Sequence, residues 1–104
     1  MVLVRWRLNI MGGMTFAWDD SKEARNFDKH GVSFDEASSV FMDPFFLVFQ
    51  DPDHSEGEHR FLIFGSSSQG RCLVVSYTER GDSVRIISAR EMTRTERKSY
   101  EEDP

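Results

Sequence analysis

Three arginines in the second half of the chain, Arg60, Arg80 and Arg90, have the chemistry needed to hold a phosphate group. A guanidinium group donates two parallel hydrogen bonds to phosphate oxygens and keeps its charge at physiological pH. Arg90 is the strongest candidate because it ends a β-type run, where its side chain can reach over an open sheet face. The alternative for Arg90 is an ion pair with Glu91 or with a carboxylate of the last helix. Arg80, beside a turn, is equally consistent with a solvated side chain.

Two histidines, His30 and His54, could exchange protons beside such a phosphate at neutral pH. His30 follows Lys29 at a predicted helix end, where the helix dipole favours the cationic imidazole, so His30 is a candidate acid and Lys29 a candidate substrate contact. A helix cap that only stabilises the following turn is the alternative for His30. His54 lies in the loop DPDHSEGEHR with Glu58 and Arg60 close behind, which could supply a base and a phosphate clamp together. A solvated acidic loop is the alternative.

Two β-type runs around a Gly-Asp turn predict a hairpin with one chemically rich face. With Glu79 opposite Val84, the alternation of side chains defines two faces. Tyr77 and Ser88, candidates for substrate binding, then fall with Arg90 on one of them. The other face carries polar residues of the same runs, namely Ser76, Thr78 and Arg85. A change of one residue in register exchanges the faces of the partner residues, and a core position is the alternative for Tyr77.

A metal site is not expected. The acidic loop offers hard ligands, but their spacing matches neither a calcium loop nor a zinc motif. These ligands are Asp51, Asp53, His54, Glu56 and Glu58. The sequence also has no Walker loop, no GxSxG elbow, no dinucleotide fingerprint and no HExxH motif. We therefore expect no metal and no cofactor.

The charge distribution is uneven along the chain. The formal net charge is −5, which taken alone counts against a polyanionic partner. Residues 14–58 contain three basic and eleven acidic residues, whereas residues 60–98 contain eight basic and four acidic ones. The second half can therefore present a locally cationic surface, and the acidic first half suits a basic partner surface. A mixed, solvated surface without a role in nucleic-acid binding is the alternative.

The cellular compartment is indicated by one cysteine and by the opening residues. Cys72 is the only cysteine in 104 residues, so no disulfide can form within the chain, and a reducing cytoplasm fits best. The opening run VLVRWRLNI is interrupted by Arg5 and Arg7 and has no cleavage pattern of small residues. We therefore expect neither a signal peptide nor a membrane span.

Gly, Pro, Asp and Ser residues separate the apolar runs of the chain. Their positions predict one domain over residues 14–104, with residues 1–13 as an N-terminal extension. Thr15 to Trp18 is predicted to be a strand. Two helices follow, the first starting near Asp20 and stopping at Gly31, the second starting after Ser33 and stopping before Pro44. Three or four strands and a last helix complete the chain. The further predicted elements are strands at residues 45–49, 61–64, 73–78 and 84–89, and a helix that Thr93 and Glu96 open. The order is β-α-α-β-β-β-α, an α+β fold with an antiparallel sheet and its helices on one face.

Three local signatures in fixed order resemble one family. They are KHGVSF at residues 29–34, the loop DPDHSEGEHR at 51–60 and VSYTERGDSVRIISAR at 75–90. Together they resemble the BrnT family of small ribonuclease toxins from bacterial toxin–antitoxin pairs, over about residues 14–102. The resemblance implies a RelE-like fold, metal-independent cleavage of RNA that inhibits translation, and a cognate DNA-binding antitoxin in a hetero-oligomer. The alternative from the residues is a non-catalytic binding module that acts as partner of a transcriptional repressor.

Overall fold

The computed structural model describes residues 6–51 and 59–102, whose helices and strands build an α+β fold. The first strands, β1 (Trp6–Met11) and β2 (Met14–Asp19), precede helices α1 (Asp20–His30) and α2 (Phe34–Ser39). A 3₁₀ turn, Val40–Met42, continues α2. The remaining elements are β3 (Leu47–Gln50), β4 (Arg60–Ser66), β5 (Cys72–Arg80), β6 (Ser83–Glu91) and α3 (Arg94–Glu102).

The six described strands form one mixed sheet in the order β1-β2-β6-β5-β4-β3. The prediction of an antiparallel sheet was wrong at one pair, because β2 runs parallel to β6 through Thr15 to Ala17. The two helices between them provide the crossover that a parallel pair needs. The predicted element order lacked β1, which pairs with β2 along its whole length. That a domain starting at residue 14 stands alone stays a prediction, as does the RelE-like assignment.

Local capping chemistry sets the ends of the helices. Asp19 caps α1 by accepting a hydrogen bond from the Ser21 amide at 2.8 Å, one residue before the predicted cap. Gly31 ends α1 at φ 69°, a left-handed conformation that glycine adopts without strain. Ser33 caps α2 as predicted, accepting from the Glu36 amide at 3.1 Å. Short-range signals were therefore sufficient to locate both helices.

The core lies between one face of the sheet and the pair α1 and α2. Its completely buried side chains include Phe16, Phe34 and Ile63. Asn26 of α1 fixes the helix to β6, donating to the Ala89 carbonyl at 2.8 Å and accepting from the Ala89 amide at 3.0 Å. A side-chain amide thus takes the place of a neighbouring strand at Ala89, which lies outside the paired stretch of β2 and β6. These bonds satisfy backbone groups that burial would otherwise leave unpaired.

Helix α3 lies on the other side of the sheet. Leu47, Phe49 and Phe64, whose side chains point away from α1 and α2, line a cleft with residues of α3 that include Ser99 and Tyr100. The prediction of helices on one face only was therefore wrong for the last helix. Its predicted start is confirmed by a reciprocal capping box between Thr93 and Glu96, with bonds of 2.8 and 3.1 Å. No described helix has the length and apolar character needed to cross a membrane.

Candidate functional site

A row of cationic side chains crosses the sheet face that α1 and α2 leave uncovered, which we call the open face. Arg60 of β4 and Arg85 of β6 each lie directly opposite Thr78 of the central strand β5. Neighbouring strands are about 4.8 Å apart, so the Cα atoms of the two arginines are separated by roughly 10 Å. Two guanidinium groups at that spacing can hold the oxygens of one phosphate from both sides. Arg60, Thr78 and Arg85 form what we call the arginine row.

Thr78 contributes an unusual polar group to the arginine row. The residue is 1% exposed, and its hydroxyl has no hydrogen-bond partner among the described residues. Nearly all buried polar side-chain atoms in proteins do have a partner, so a buried hydroxyl without one requires an explanation. Its position between two arginines makes it a candidate donor to the same anion.

A β-bulge in β6 decides which side chains share the open face. Tyr77 pairs with Ile86 but Ser76 pairs with Ser88, so Ile87 is an extra residue without a partner. One extra residue reverses the alternation of side chains beyond it. The predicted pairing of Glu79 with Val84 is confirmed. The predicted grouping of Tyr77 with Ser88 and Arg90 was wrong, because the bulge moves the last two to the opposite face.

Tyr77 itself belongs to the core. It is 4% exposed, stacks on Phe61 at 5.5 Å between ring centroids and meets Phe41 edge to face at 4.9 Å. Burial, with a smaller effect of nearby Glu79, raises the pKa of Tyr77 to about 12. Because its ring packs in the core, on the face of the sheet opposite the open face, Tyr77 is unsuited to contact a substrate there, and the alternative that Tyr77 packs in the core agrees with the structure.

Arg90 lies on the open face but is engaged by α3. Its two terminal nitrogens donate to the two carboxylate oxygens of Glu96 at 2.7 and 3.0 Å, and one also donates to the Glu91 carbonyl at 3.2 Å. Hydrogen bonding from Arg90 lowers the pKa of Glu96 to about 2. Arg90 lies opposite Val74, four residues from Thr78 along β5, which corresponds to roughly 13 Å. The ion pair with the last helix, anticipated as the alternative, is therefore present, and Arg90 is separate from the arginine row.

The remaining predicted site residues are distributed over three places. Arg80 ends β5 and lines a cleft on the open face with Arg85, so it lies near the arginine row. Lys29 and His30 end α1, on the opposite side of the sheet. Ser88 is exposed on the open face beside Ser76. His54 and Glu58 lie outside the described residues.

Sequence reasoning missed Arg85 and Thr78 as site residues. Both were placed on the face with fewer reactive groups. The bulge at Ile87 adds Ser88 and Arg90 to that face, but it has no sequence signature such as a glycine or proline. The β-type runs and the turn at Gly81 were the only available signals, and they fixed the pairing of Arg85 with Thr78 correctly. What they left undetermined was which other residues share that face.

Electrostatic partners differ among the four arginines of the open face. In the part of the chain that the structure describes, no carboxylate forms an ion pair with Arg60 or Arg85, whereas Arg90 is paired with Glu96. Asp51 lies next to Arg60, donating its backbone amide to the Arg60 carbonyl at 2.8 Å. Among residues 6–51 and 59–102 no three potential ligands of the His, Cys, Asp and Glu types are grouped so as to hold a metal ion.

Comparisons with known proteins give a family and a fold. The model of a family described as the ribonuclease toxin BrnT of type II toxin–antitoxin systems matches residues 18–96. Among solved structures, the crystal structure of the Brucella abortus ribonuclease toxin BrnT is similar, with 21% sequence identity and a TM-score of 0.57. The similarity covers 74% of this chain and 94% of that one. No curated protein sequence matches.

Proposed function

Since the chain belongs to the family of BrnT ribonuclease toxins of type II toxin–antitoxin systems, we propose that it is a metal-independent endoribonuclease whose cleavage of RNA inhibits translation. A toxin of this type implies an antitoxin partner. We propose further that this antitoxin binds DNA, forms a hetero-oligomer with the chain and neutralises it, and that the toxin acts in the cytoplasm. The observation that carries the proposal is the arginine row on the open face.

Cleavage of RNA by its own 2′-hydroxyl requires a base near that hydroxyl, a cation beside the developing negative charge and an acid at the leaving oxygen. Arg60 and Arg85 are positioned for the second task, with the Thr78 hydroxyl as an additional donor. Because permanently charged guanidinium groups can stabilise the transition state, the proposed reaction has no step that requires a metal ion. Arg80, near the same end of the sheet, can bind a neighbouring phosphate.

The base and the acid are proposed to come from residues 52–58, which connect Asp51 to His59. Asp51, which precedes them in the sequence, is hydrogen-bonded to Arg60 through the backbone. His54 and Glu58 are its groups best suited to proton transfer at neutral pH. Lys29 and His30 are less favourable because α1 lies on the other side of the sheet. Arg90 is proposed to act from the far end of the open face, on a more distant phosphate or by holding α3.

Cleavage by purified protein tests this proposal. Labelled single-stranded RNA is incubated with the wild-type protein in EDTA, with Arg60→Ala and with Arg25→Ala. Arg25 is exposed on α1, so its replacement removes the same charge from the opposite side of the sheet. Loss of one preorganised donor typically lowers a rate on the order of 10²–10³, and this decrease is expected for Arg60→Ala only.

The outcomes separate the proposed enzyme from the non-catalytic alternative. Cleavage that persists in EDTA and depends on Arg60 supports the proposal. Inhibition of cell-free translation without any change in RNA length argues for a binding module instead. Cleavage that stops in EDTA and returns with a divalent cation contradicts metal independence while leaving the ribonuclease activity in place.

A further inference from the structure

The N-terminal strand β1 builds one wall of a cleft on the open face. The cleft has a volume of about 230 Å³. It is lined by Trp6, Leu8, Ala17, Arg80, Ser83 and Arg85. We call it the nucleotide cleft. The bottom of the cleft is apolar, and its other wall carries two arginines and a hydroxyl group. No carboxylate is among the lining residues.

Trp6 and Arg85 are in direct contact across this cleft. The guanidinium carbon of Arg85 lies 4.8 Å from the centre of the Trp6 ring, a cation–π geometry. Trp6 is nevertheless 47% exposed, so a large part of the indole remains available to another flat group. An exposed aromatic ring can stack on a base, and an arginine beside it can hold the phosphate that the base carries, so Trp6 and Arg85 match the two parts of a nucleotide.

β1 places Trp6 there through sheet pairing. Leu8 lies opposite Ala17, and Ala17 lies opposite Arg85. The strands β1, β2 and β6 therefore bring residues of the N-terminal strand and Arg85 together on one face. The family match begins at residue 18, so β1 and its tryptophan are outside the part of the chain that the family model covers. The wall of the nucleotide cleft that carries Trp6 is therefore outside the family match, whereas the wall with the two arginines is inside it.

We propose that the nucleotide cleft binds one unpaired nucleotide of the RNA substrate, with its base stacked on Trp6 and its phosphate held by Arg85 and Arg80. This inference rests on the proposed ribonuclease function and names the form of RNA that the site takes. A base inside a duplex has both faces covered by its neighbours and cannot stack on Trp6, so single strands or loops are preferred. Arg85 joins the nucleotide cleft to the arginine row, because it belongs to both.

Fluorescence of the two tryptophans provides a test that does not depend on cleavage. Trp6 is exposed and Trp18 is 3% exposed, so a base can stack only on the first. The probe is a single-stranded 2′-O-methyl RNA, which lacks the hydroxyl needed for cleavage. Adding it is expected to quench the emission of the wild-type protein. Base stacking contributes about 1–3 kcal/mol, so Trp6→Ala is expected to weaken binding on the order of tenfold.

Matched variants complete the design. Ile10→Ala removes a side chain that is 74% exposed on the same strand but does not line the nucleotide cleft, and it is expected to bind like the wild type. Trp6→Phe keeps an aromatic ring and is expected to retain most of the affinity. It tests the role of the ring independently, in case Trp6→Ala has a folding defect. Arg85→Gln is expected to weaken binding and to reduce its salt dependence, because it removes one phosphate contact.

Several outcomes overturn the proposal, and they can be told apart. Unchanged affinity in Trp6→Ala and Arg85→Gln, with weakened binding in Arg60→Ala, places the RNA elsewhere and leaves the proposed ribonuclease intact. Equal quenching by a duplex of the same sequence contradicts the requirement for an unpaired base. If Trp6→Ala weakens only the antitoxin complex, the cleft binds protein. Absence of any RNA binding by the wild type rejects the cleft, and the cleavage assay then decides separately on the proposed function.

Discussion

At the scale of single residues, a substitution of Thr78 distinguishes a structural role of its hydroxyl from a functional one, because the two roles predict different effects on stability and on RNA cleavage. A buried hydroxyl without a partner destabilises the folded state, so Thr78→Val is expected to raise the free energy of unfolding by about 1 kcal/mol. If the hydroxyl donates to the substrate phosphate, the same variant loses RNA cleavage activity, on the order of tenfold. Chemical denaturation and cleavage rates measure the two effects on one protein.

Thr15→Val is the control for Thr78→Val, since Thr15 lies two strands away on β2 and is only partly buried. It is expected to change neither property. A Thr78→Val variant that is more stable and fully active shows that the hydroxyl has no contact with RNA. A less stable variant shows that the hydroxyl has a partner in the folded protein after all.

At the scale of secondary-structure elements, the attachment of α3 depends on pH. Arg90 lowers the pKa of Glu96 to about 2 in the folded protein, against an ordinary value of 4.5. A lowered folded-state pKa stabilises the protein above the unfolded pKa, and this contribution is lost as pH falls from about 4.5 towards 2. Glu96→Gln is therefore expected to lower the melting temperature at pH 7 but to match the wild type near pH 2. A temperature difference that stays constant between these pH values contradicts this assignment.

A second element-scale contact joins α2 to the β4–β5 connection. Glu36 is 4% exposed and accepts hydrogen bonds from Arg71 and from the Ser67 hydroxyl, the latter at 2.7 Å. Hydrogen bonding from Arg71 lowers the pKa of Glu36 despite the opposing effect of burial. Arg71→Met leaves this carboxylate buried without its cation and is expected to cost about 3 kcal/mol of stability.

The double variant Glu36→Gln with Arg71→Met tests whether that cost arises from the pair. Neutralising the carboxylate removes the uncompensated charge, so the double variant is expected to be more stable than Arg71→Met alone. Additive losses in urea unfolding instead show that the two residues contribute independently.

At the scale of the whole molecule, the edge strand β3 is the described surface best suited to the antitoxin. Phe45 is 76% exposed and Phe49 52%, at the outer edge of β3, where no other described strand pairs. Exposed apolar edge strands favour association with another chain. Phe45→Ser is expected to weaken the complex with the antitoxin by more than tenfold, because aromatic anchors often contribute about 2 kcal/mol or more.

Titration calorimetry with the proposed antitoxin measures that affinity. Ile10→Ser is the control, since Ile10 is 74% exposed on the opposite edge strand. Equal weakening by both variants contradicts a site specific to β3.

A further prediction for the whole molecule concerns the N-terminal extension. A chain that begins at Met14 is expected to unfold cooperatively, because Trp6, Leu8 and Ile10 of β1 are exposed and the core residues Phe16 and Trp18 follow them. Its melting temperature is expected to fall by a few degrees, since β2 loses one neighbour. Loss of a cooperative transition in circular dichroism shows instead that β1 is required for the core.

The sequence by itself determined the features that depend on neighbours along the chain. Gly31 ends α1, Ser33 starts α2, and the turn at Gly81 pairs Glu79 with Val84, because capping and turn formation involve residues only a few positions apart. The family was identifiable for the same reason, from three short signatures in order. These local features fixed most element positions within a few residues.

Only the tertiary structure decided which reactive side chains meet. The extra residue Ile87 places both Ser88 and Arg90 on the open face, away from Tyr77. The parallel pairing of β2 with β6 brings Trp6 to Arg85. Both depend on contacts between residues far apart in sequence, and side-chain alternation has a period of two, so one unpaired residue reverses everything beyond it. Chemistry alone was therefore enough to predict Arg60, Arg80 and Arg90 as candidate phosphate ligands, whereas Arg85 and the grouping into the arginine row came from the sheet.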